Sequence, residues 1–257
     1  MAIAWAKTRA LAQPLRIDVD AAGAGVRIGD KASPVDAIDW DVPTQGTVIG
    51  TLLNCRGELA ALGDAVHRTP YDSPPRAPVL YLKPANTWIA HGAPIPLPDS
   101  VDTIAIGGAL GIVIGTTATR VARARALDHV AGYTIVNGVH TPNPSLLQHS
   151  VRERCRDGFC PIGPWVIERA AIANPDALGV RIFVNGEQRT ASTTAHLVRS
   201  VAALIADVSE FMTLSAGDIL LAGIPEAAPN ARVGDRVRVE IDGIGALENP
   251  VVSESWP

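Results

Sequence analysis

The stretch VGDRVRVEIDGIGALENPVV, residues 233–252, decides the fold class. Apolar and polar residues alternate along it with a period of two, the pattern of a strand with one buried and one wetter face. It reads as a long two-sided strand followed by a hairpin. Working outward, the same reading extends to LRIDV at 15–19, GVRI at 25–28, VLYLK at 79–83 and GGALGIVIG at 107–115. TVIGTLL at 47–53 is apolar on both faces, as a strand buried between layers would be. Eight of the 20 prolines fall in residues 70–98, which read as extended loop around the 79–83 strand.

Two segments have helical periodicity. Residues 121–130 predict a short helix with Leu127 and Val130 on one side. The principal helix is expected over 194–212, where Leu197, Val201, Leu204, Ile205, Val208 and Phe211 recur at three-to-four spacing behind the N-cap candidates Ser192, Thr193 and Thr194. The fold class is therefore mixed α/β and β-rich. Residues 1–45 read as a small N-terminal β module, 41–46 as a linker, and 46–257 as the main domain.

With 257 residues, 47% hydrophobic and 19% charged, the chain can bury a sizeable core and is not a disordered segment. Its net charge of −4, with no basic stripe, argues against a nucleic-acid binder. Three cysteines without a CxxC pair read as reduced thiols. The first fifteen residues lack the apolar core of a signal peptide. The longest apolar run, 104–114, is interrupted by glycines, short of the roughly 20 residues of a membrane helix. These features lead us to expect a soluble cytoplasmic protein with no membrane partner.

Gly107-Gly108-Ala109-Leu110-Gly111 is glycine-rich, but no Lys-Ser pair follows it, so a phosphate loop lacks its context. The six histidines form no HxxxH or HExxH pattern, and there is no GxSxG elbow. The densest polar group is Arg152-Glu153-Arg154-Cys155-Arg156-Asp157. Guanidinium groups grip carboxylates through paired hydrogen bonds, so this run reads either as an anion site or as a salt-bridged surface turn. Lys83 stands out because the only other lysines are Lys7 and Lys31.

The order of seven blocks carries a family resemblance: VLYLKPANTWIAHGAPIPLP (79–98), LGIVIG (110–115), ALDHVAGYTIVN (126–137), CRDGFCPIGPWV (155–166), VNGEQR (184–189), VSEFMTLSAGDILLAGIP (208–225) and the opening stretch, 233–252. Together they resemble the fumarylacetoacetate hydrolase family over about residues 46–255. The CRDGFCPIGP and AGYTIVN blocks are similar to the branch of bifunctional isomerase/decarboxylases of 4-hydroxyphenylacetate degradation, in its N-terminal half or stand-alone first subunit.

The resemblance implies a β-roll fold, a homodimer or higher assembly, and Mg²⁺ or Mn²⁺ acting as Lewis acid on small 2-oxo or 2-hydroxy-diene dicarboxylates. The family holds that ion through a Glu-x-Glu and an Asp, whose positions fall here on Gly107, Ala109 and Gly138. None of these side chains offers an oxygen, so the metal is expected to be absent from this chain. The family's catalytic histidine falls on Glu58, and its Thr-Gly-Thr-Pro reads Ala222-Gly223-Ile224-Pro225.

Lys83, Arg154, Asp157 and Glu58 are the candidate catalytic residues by this carry-over. Arg156, Asn137, Gly223 and His140 are the candidate substrate-binding ones, and His140 with Glu58 could in principle rebuild a metal site. Three readings follow. The chain could be an enzyme with substitute ligands, which an ion near residues 107–140 would favour. It could be a non-catalytic partner of itself or of a metal-bearing sister subunit, which a sister chain with intact ligands would favour. It could be a small-carboxylate binder, which an anion held without metal would favour.

Overall fold

The tail is β-structure, as its alternation predicts, but in place of one long strand followed by a hairpin it is itself the hairpin. Strand Arg236–Ile241 pairs antiparallel with Gly245–Ser253, Ile241 lying opposite Gly245. Val237, Val239 and Ile241 are buried while Arg236 is exposed. This hairpin sits in a five-stranded sheet with Glu187–Thr193, Gly179–Val184 and Ile95–Leu97. The computed structural model from which these elements are drawn describes all residues except 21, 22, 24, 70, 71, 143–149, 226, 256 and 257.

The second and larger sheet has twelve strands. Its centre is Gly108–Ile114 beside Val130–Asn137, which in turn pairs with Cys160–Glu168. On the other flank come Ile219–Leu221, Val48–Leu52 and Val79–Lys83. All seven residues of Gly108–Ile114 are buried. Alternation divides them between two apolar clusters: Leu110, Ile112 and Ile114 enter the main core, Ala109 and Val113 a smaller one with Val136, Cys160 and Ile224. A strand with an apolar cluster on each face reads as unbroken hydrophobic sequence, which is how this segment looks.

The N-terminal strands continue that same sheet. Ala2–Thr8 pairs with Cys160–Glu168, and Leu15–Val19, Gly25–Ile28 and Lys31–Pro34 follow outward from it. Hydrogen bonding therefore runs from the segment expected as a separate module into the main domain. Trp40 and Trp165 meet edge to face across the join, ring centroids 5.7 Å apart. The expected linker is pinned as well: the Thr44 hydroxyl donates to the Gly217 carbonyl, and Thr47 N–H donates to Asp218 Oδ1 at 2.6 Å.

The helical expectations need correction at their ends. The principal helix is Val201–Phe211, capped by the Ser200 hydroxyl, which accepts from Ala203 N–H. Residues 194–196 form a separate 3₁₀ turn that Thr193 caps, so the predicted start merged two elements. Val201, Leu204, Ile205 and Val208 are buried, but Phe211 is 59% exposed at the last turn, where the helix leaves the core. The expected helix over 121–130 is a 3₁₀ turn, Arg123–His129, rather than an α-helix.

Candidate functional site

The antiparallel register of Val48–Leu52 with Val79–Lys83 starts the site. Gly50 lies opposite Tyr81, and Val48 opposite Lys83. A Cβ on Gly50 would stand 2.0 Å from Tyr81 Cζ, so the phenol ring lies directly on the glycine backbone. Tyr81 and Lys83, two apart on one strand, face the same way.

Lys83 is fully buried, and its ammonium donates to three backbone carbonyls: Val139 at 2.6 Å, Arg154 at 2.6 Å and Phe159 at 2.8 Å. An ammonium has three protons, and all three are engaged. Lys83 therefore ties three segments to one strand. Burial pushes its pKa down to about 8, and the nearby Arg154 charge works in the same sense.

Arg154 is the second buried cation, 5% exposed. Its guanidinium stacks over the Tyr81 ring, Cζ 4.6 Å from the centroid, and its Nε donates to Ser150 Oγ at 3.1 Å. Arg154 Nη1 and the Tyr81 hydroxyl are both sealed from solvent and have no hydrogen-bond partner among the described residues. Burial raises the Tyr81 pKa, so the hydroxyl keeps its proton as a donor. Cys160, beside Lys83, is held as a thiol by burial, its pKa pushed up to about 12.

Gly107 and Gly138 meet next to Tyr81. Gly138 N–H donates to Gly107 O at 2.8 Å, and Gly107 N–H donates to Asn137 Oδ1 at 3.0 Å. Asn137 thereby fixes the glycine pair from a buried position. A Cβ on Gly107 would stand 2.7 Å from both Gly138 O and Ile224 Cδ1; one on Gly138 would stand 3.0 Å from Ile224 Cδ1 and 3.1 Å from Tyr81 Oη. Ala109, two residues on from Gly107, packs in the Ile224 cluster. His140 Nδ1 lies 3.3 Å from Gly138 O, which assigns its proton to Nδ1. Burial, together with the Arg154 and Lys83 charges, lowers the His140 pKa to about 4, so the ring is neutral at pH 7.

The remaining sequence candidates brace backbone or hold loops, although the Glu58 charge reaches Tyr81. Glu58 Oε2 accepts from Leu53 N–H at 2.7 Å, bracing a turn in which Leu53 has φ +57°. Gly223, at φ +146°, packs against Asn54, whose amide donates to Ala222 O at 2.5 Å and whose oxygen accepts from Arg199 N–H. Arg156 Nη1 pairs with Glu254 at 3.4 Å, and the exposed Asp157 accepts from Asn86 Nδ2 at 2.7 Å. The arginine-rich run is thus divided: Arg154 turns into the site, while Arg156 and Asp157 hold surface loops. Tyr81 was not among the sequence candidates, although its spacing of two from Lys83 was the signal that could have found it.

The divalent ion implied by the family resemblance does not fit these residues. Gly107, Ala109 and Gly138 supply no side-chain oxygen, and the Ile224 methyl fills the space that side chains at Gly107 and Gly138 would enter. Among the described residues no group of three or more His, Cys, Asp or Glu is placed to hold a metal ion. Nor is any helix long and apolar enough to cross a membrane.

Comparison with known proteins agrees with this architecture. Residues 47–252 match the family model described as fumarylacetoacetate (FAA) hydrolase C-terminal. The chain is 40% identical over 210 residues to the 4-hydroxyphenylacetate degradation bifunctional isomerase/decarboxylase of Escherichia coli, covering 82% of this chain and 48% of that protein. It therefore spans about half the length of that relative. The crystal structure of 5-carboxymethyl-2-hydroxymuconate delta-isomerase from Mycobacterium smegmatis superposes with a TM-score of 0.79 and 29% identity over the whole of both chains. A maleylpyruvate hydrolase from Sphingobium sp. SYK-6, solved with manganese(II) ion and pyruvate, shares the fold at TM-score 0.77 and 22% identity, over 97% of this chain and 99% of that one. The chain belongs to the fumarylacetoacetate hydrolase family.

Proposed function

We propose that this chain is a metal-free member of its family, a partner subunit in the isomerisation and decarboxylation of a 2-oxo or 2-hydroxy-diene dicarboxylate in 4-hydroxyphenylacetate catabolism. In this reading it pairs with itself or with a metal-bearing sister subunit and contributes structure rather than Lewis-acid chemistry. The observation that carries the reading is the filled cradle: Ile224 Cδ1 sits against Gly107 and Gly138 where the family's carboxylates would project. A hard divalent ion needs charged oxygen ligands in number, and apolar packing at that place excludes them. The similarity to the isomerase/decarboxylases supports the substrate class. Isothermal titration of the purified chain with Mn²⁺, and a decarboxylase assay of the chain alone and mixed with a metal-bearing sister subunit, test the proposal. We expect no Mn²⁺ heat and no turnover by the chain alone. One micromolar Mn²⁺ site per chain, or full activity of the chain by itself, would overturn it.

A further inference from the structure

We infer that Tyr81 Oη and Arg154 Nη1 form a metal-independent seat for the carboxylate of a small organic acid. Two buried cations, Lys83 and Arg154, lie close enough to influence each other, and the Glu58 charge reaches Tyr81, yet among the described residues neither cation has a carboxylate within 4.0 Å. Burying a charge without a counter-charge is costly, and the cost is relieved when an anion enters. Lys83 has satisfied its protons on carbonyls, so its charge contributes field without offering a donor. The open donors beside it belong to Arg154 Nη1 and the Tyr81 hydroxyl; Arg156 Nε is also sealed and unpartnered among the described residues.

Buried polar atoms are paired in the great majority of cases, so two orphaned donors at one cation call for an acceptor that arrives from outside. A carboxylate brings two acceptor oxygens and one negative charge, matching two donors and one cation without a hydrogen-bonding proton. Tyr81 and His140 are each only partly buried as residues, so the rim of the seat meets solvent although the donors themselves do not. Ile224 and the glycine pair bound the side next to the Tyr81 hydroxyl with apolar and backbone surface.

The assignment shares the metal-free reading proposed above, and the experiment separates the two. Pyruvate, succinate and inorganic phosphate are titrated calorimetrically into wild type and Tyr81→Phe, each with excess EDTA and again with Mn²⁺. We expect pyruvate or succinate to bind in EDTA more tightly than phosphate. Tyr81→Phe should weaken that binding about tenfold or more, the loss of one hydrogen bond to a charged group. Its ligand-free melting temperature should hold or rise, because it deletes a sealed, unpartnered hydroxyl. Equal binding by wild type and Tyr81→Phe would overturn the assignment, as would phosphate binding more tightly than both acids. Absence of carboxylate binding under both conditions, with no Mn²⁺ heat, would overturn this inference and leave the metal-free reading standing. Carboxylate binding only with Mn²⁺ would overturn both.

Discussion

Ile224 Cδ1 approaches Gly107 so closely that a Cβ on the glycine would stand 2.7 Å from that methyl, and the isoleucine and the glycine therefore depend on each other. Gly107→Ala would also press on Gly138 O, a backbone atom that cannot swing away. We expect it to cost about 1–3 kcal/mol, with Ile224→Val recovering only part. Gly138→Ala meets only side-chain ends, Ile224 Cδ1 and Tyr81 Oη, so its cost should be smaller and Ile224→Val should recover most of it. Urea unfolding of the four-variant cycles checks both; a neutral Gly107→Ala would show the contact to be slack.

The same packing sets the terms for rebuilding a metal site. A side chain at Gly107 would meet Ile224, Ala109 packs in the Ile224 cluster, and Gly138 adjoins Gly107, so Gly107→Glu, Ala109→Glu and Gly138→Asp bring three carboxylates to one place. With Ile224 retained, these side chains compete with the methyl for space. We expect Mn²⁺ binding by titration calorimetry when Ile224→Thr accompanies the triple change, and at least tenfold weaker binding without it. A folded quadruple variant with no Mn²⁺ affinity would refute the placement of the three ligand positions.

Lys83→Met keeps the length of the side chain but leaves the carbonyls of Val139, Arg154 and Phe159 without their shared donor. Each unsatisfied buried carbonyl costs roughly 1 kcal/mol or more, so the substitution should destabilise by on the order of 3 kcal/mol. A change under about 1 kcal/mol in the urea-derived stability would show that the ammonium is not the tie described here.

Folded His140 titrates near 4, against about 6.5 in the unfolded chain. Between those values the unfolded chain takes up a proton that the folded one refuses, so stability falls as pH drops from 6.5 towards 4. His140 should account for on the order of 3 kcal/mol of that loss. His140→Gln should flatten the slope of stability between pH 6.5 and 4; an unchanged slope would assign the acid sensitivity elsewhere.

Leu204 and Phe211 stand on one predicted helical stripe but differ in fate: Leu204 is fully buried and Phe211 is 59% exposed. Leu204→Ala should cost about 2–5 kcal/mol, Phe211→Ala under about 1 kcal/mol, both read from urea midpoints.

That pair shows how far periodicity carried the fold. Strand alternation placed the tail hairpin because each buried side chain recurs every second residue, a signal local to the segment. Helical spacing found the Val201–Phe211 helix but ran across a 3₁₀ turn at its start, since Leu197 is buried from outside the helix and sustains the pattern. Of the site, the sequence made only residue types legible: glycine and alanine stand at 107, 109 and 138, the positions that the family resemblance assigns to metal ligands. What each polar residue does was not legible, because it rests on contacts distant in sequence. Lys83 reaches carbonyls 56, 71 and 76 residues away. Tyr81 gains meaning only once Gly50 makes room for its ring and Arg154 lies over it.

The pairing of Ala2–Thr8 with Cys160–Glu168 bears on aggregation. The family match begins at residue 47, which invites trimming of everything before it. A chain shortened in that way would lose the first strand and leave a row of amide and carbonyl groups on Cys160–Glu168 open along one side. It would also bare Trp165, which is fully buried beside Trp40. An open, apolar strand edge is a template for pairing with another molecule. The first forty residues thus act as a guard rail for the central sheet, and removing them should open that edge to uncontrolled pairing with other chains.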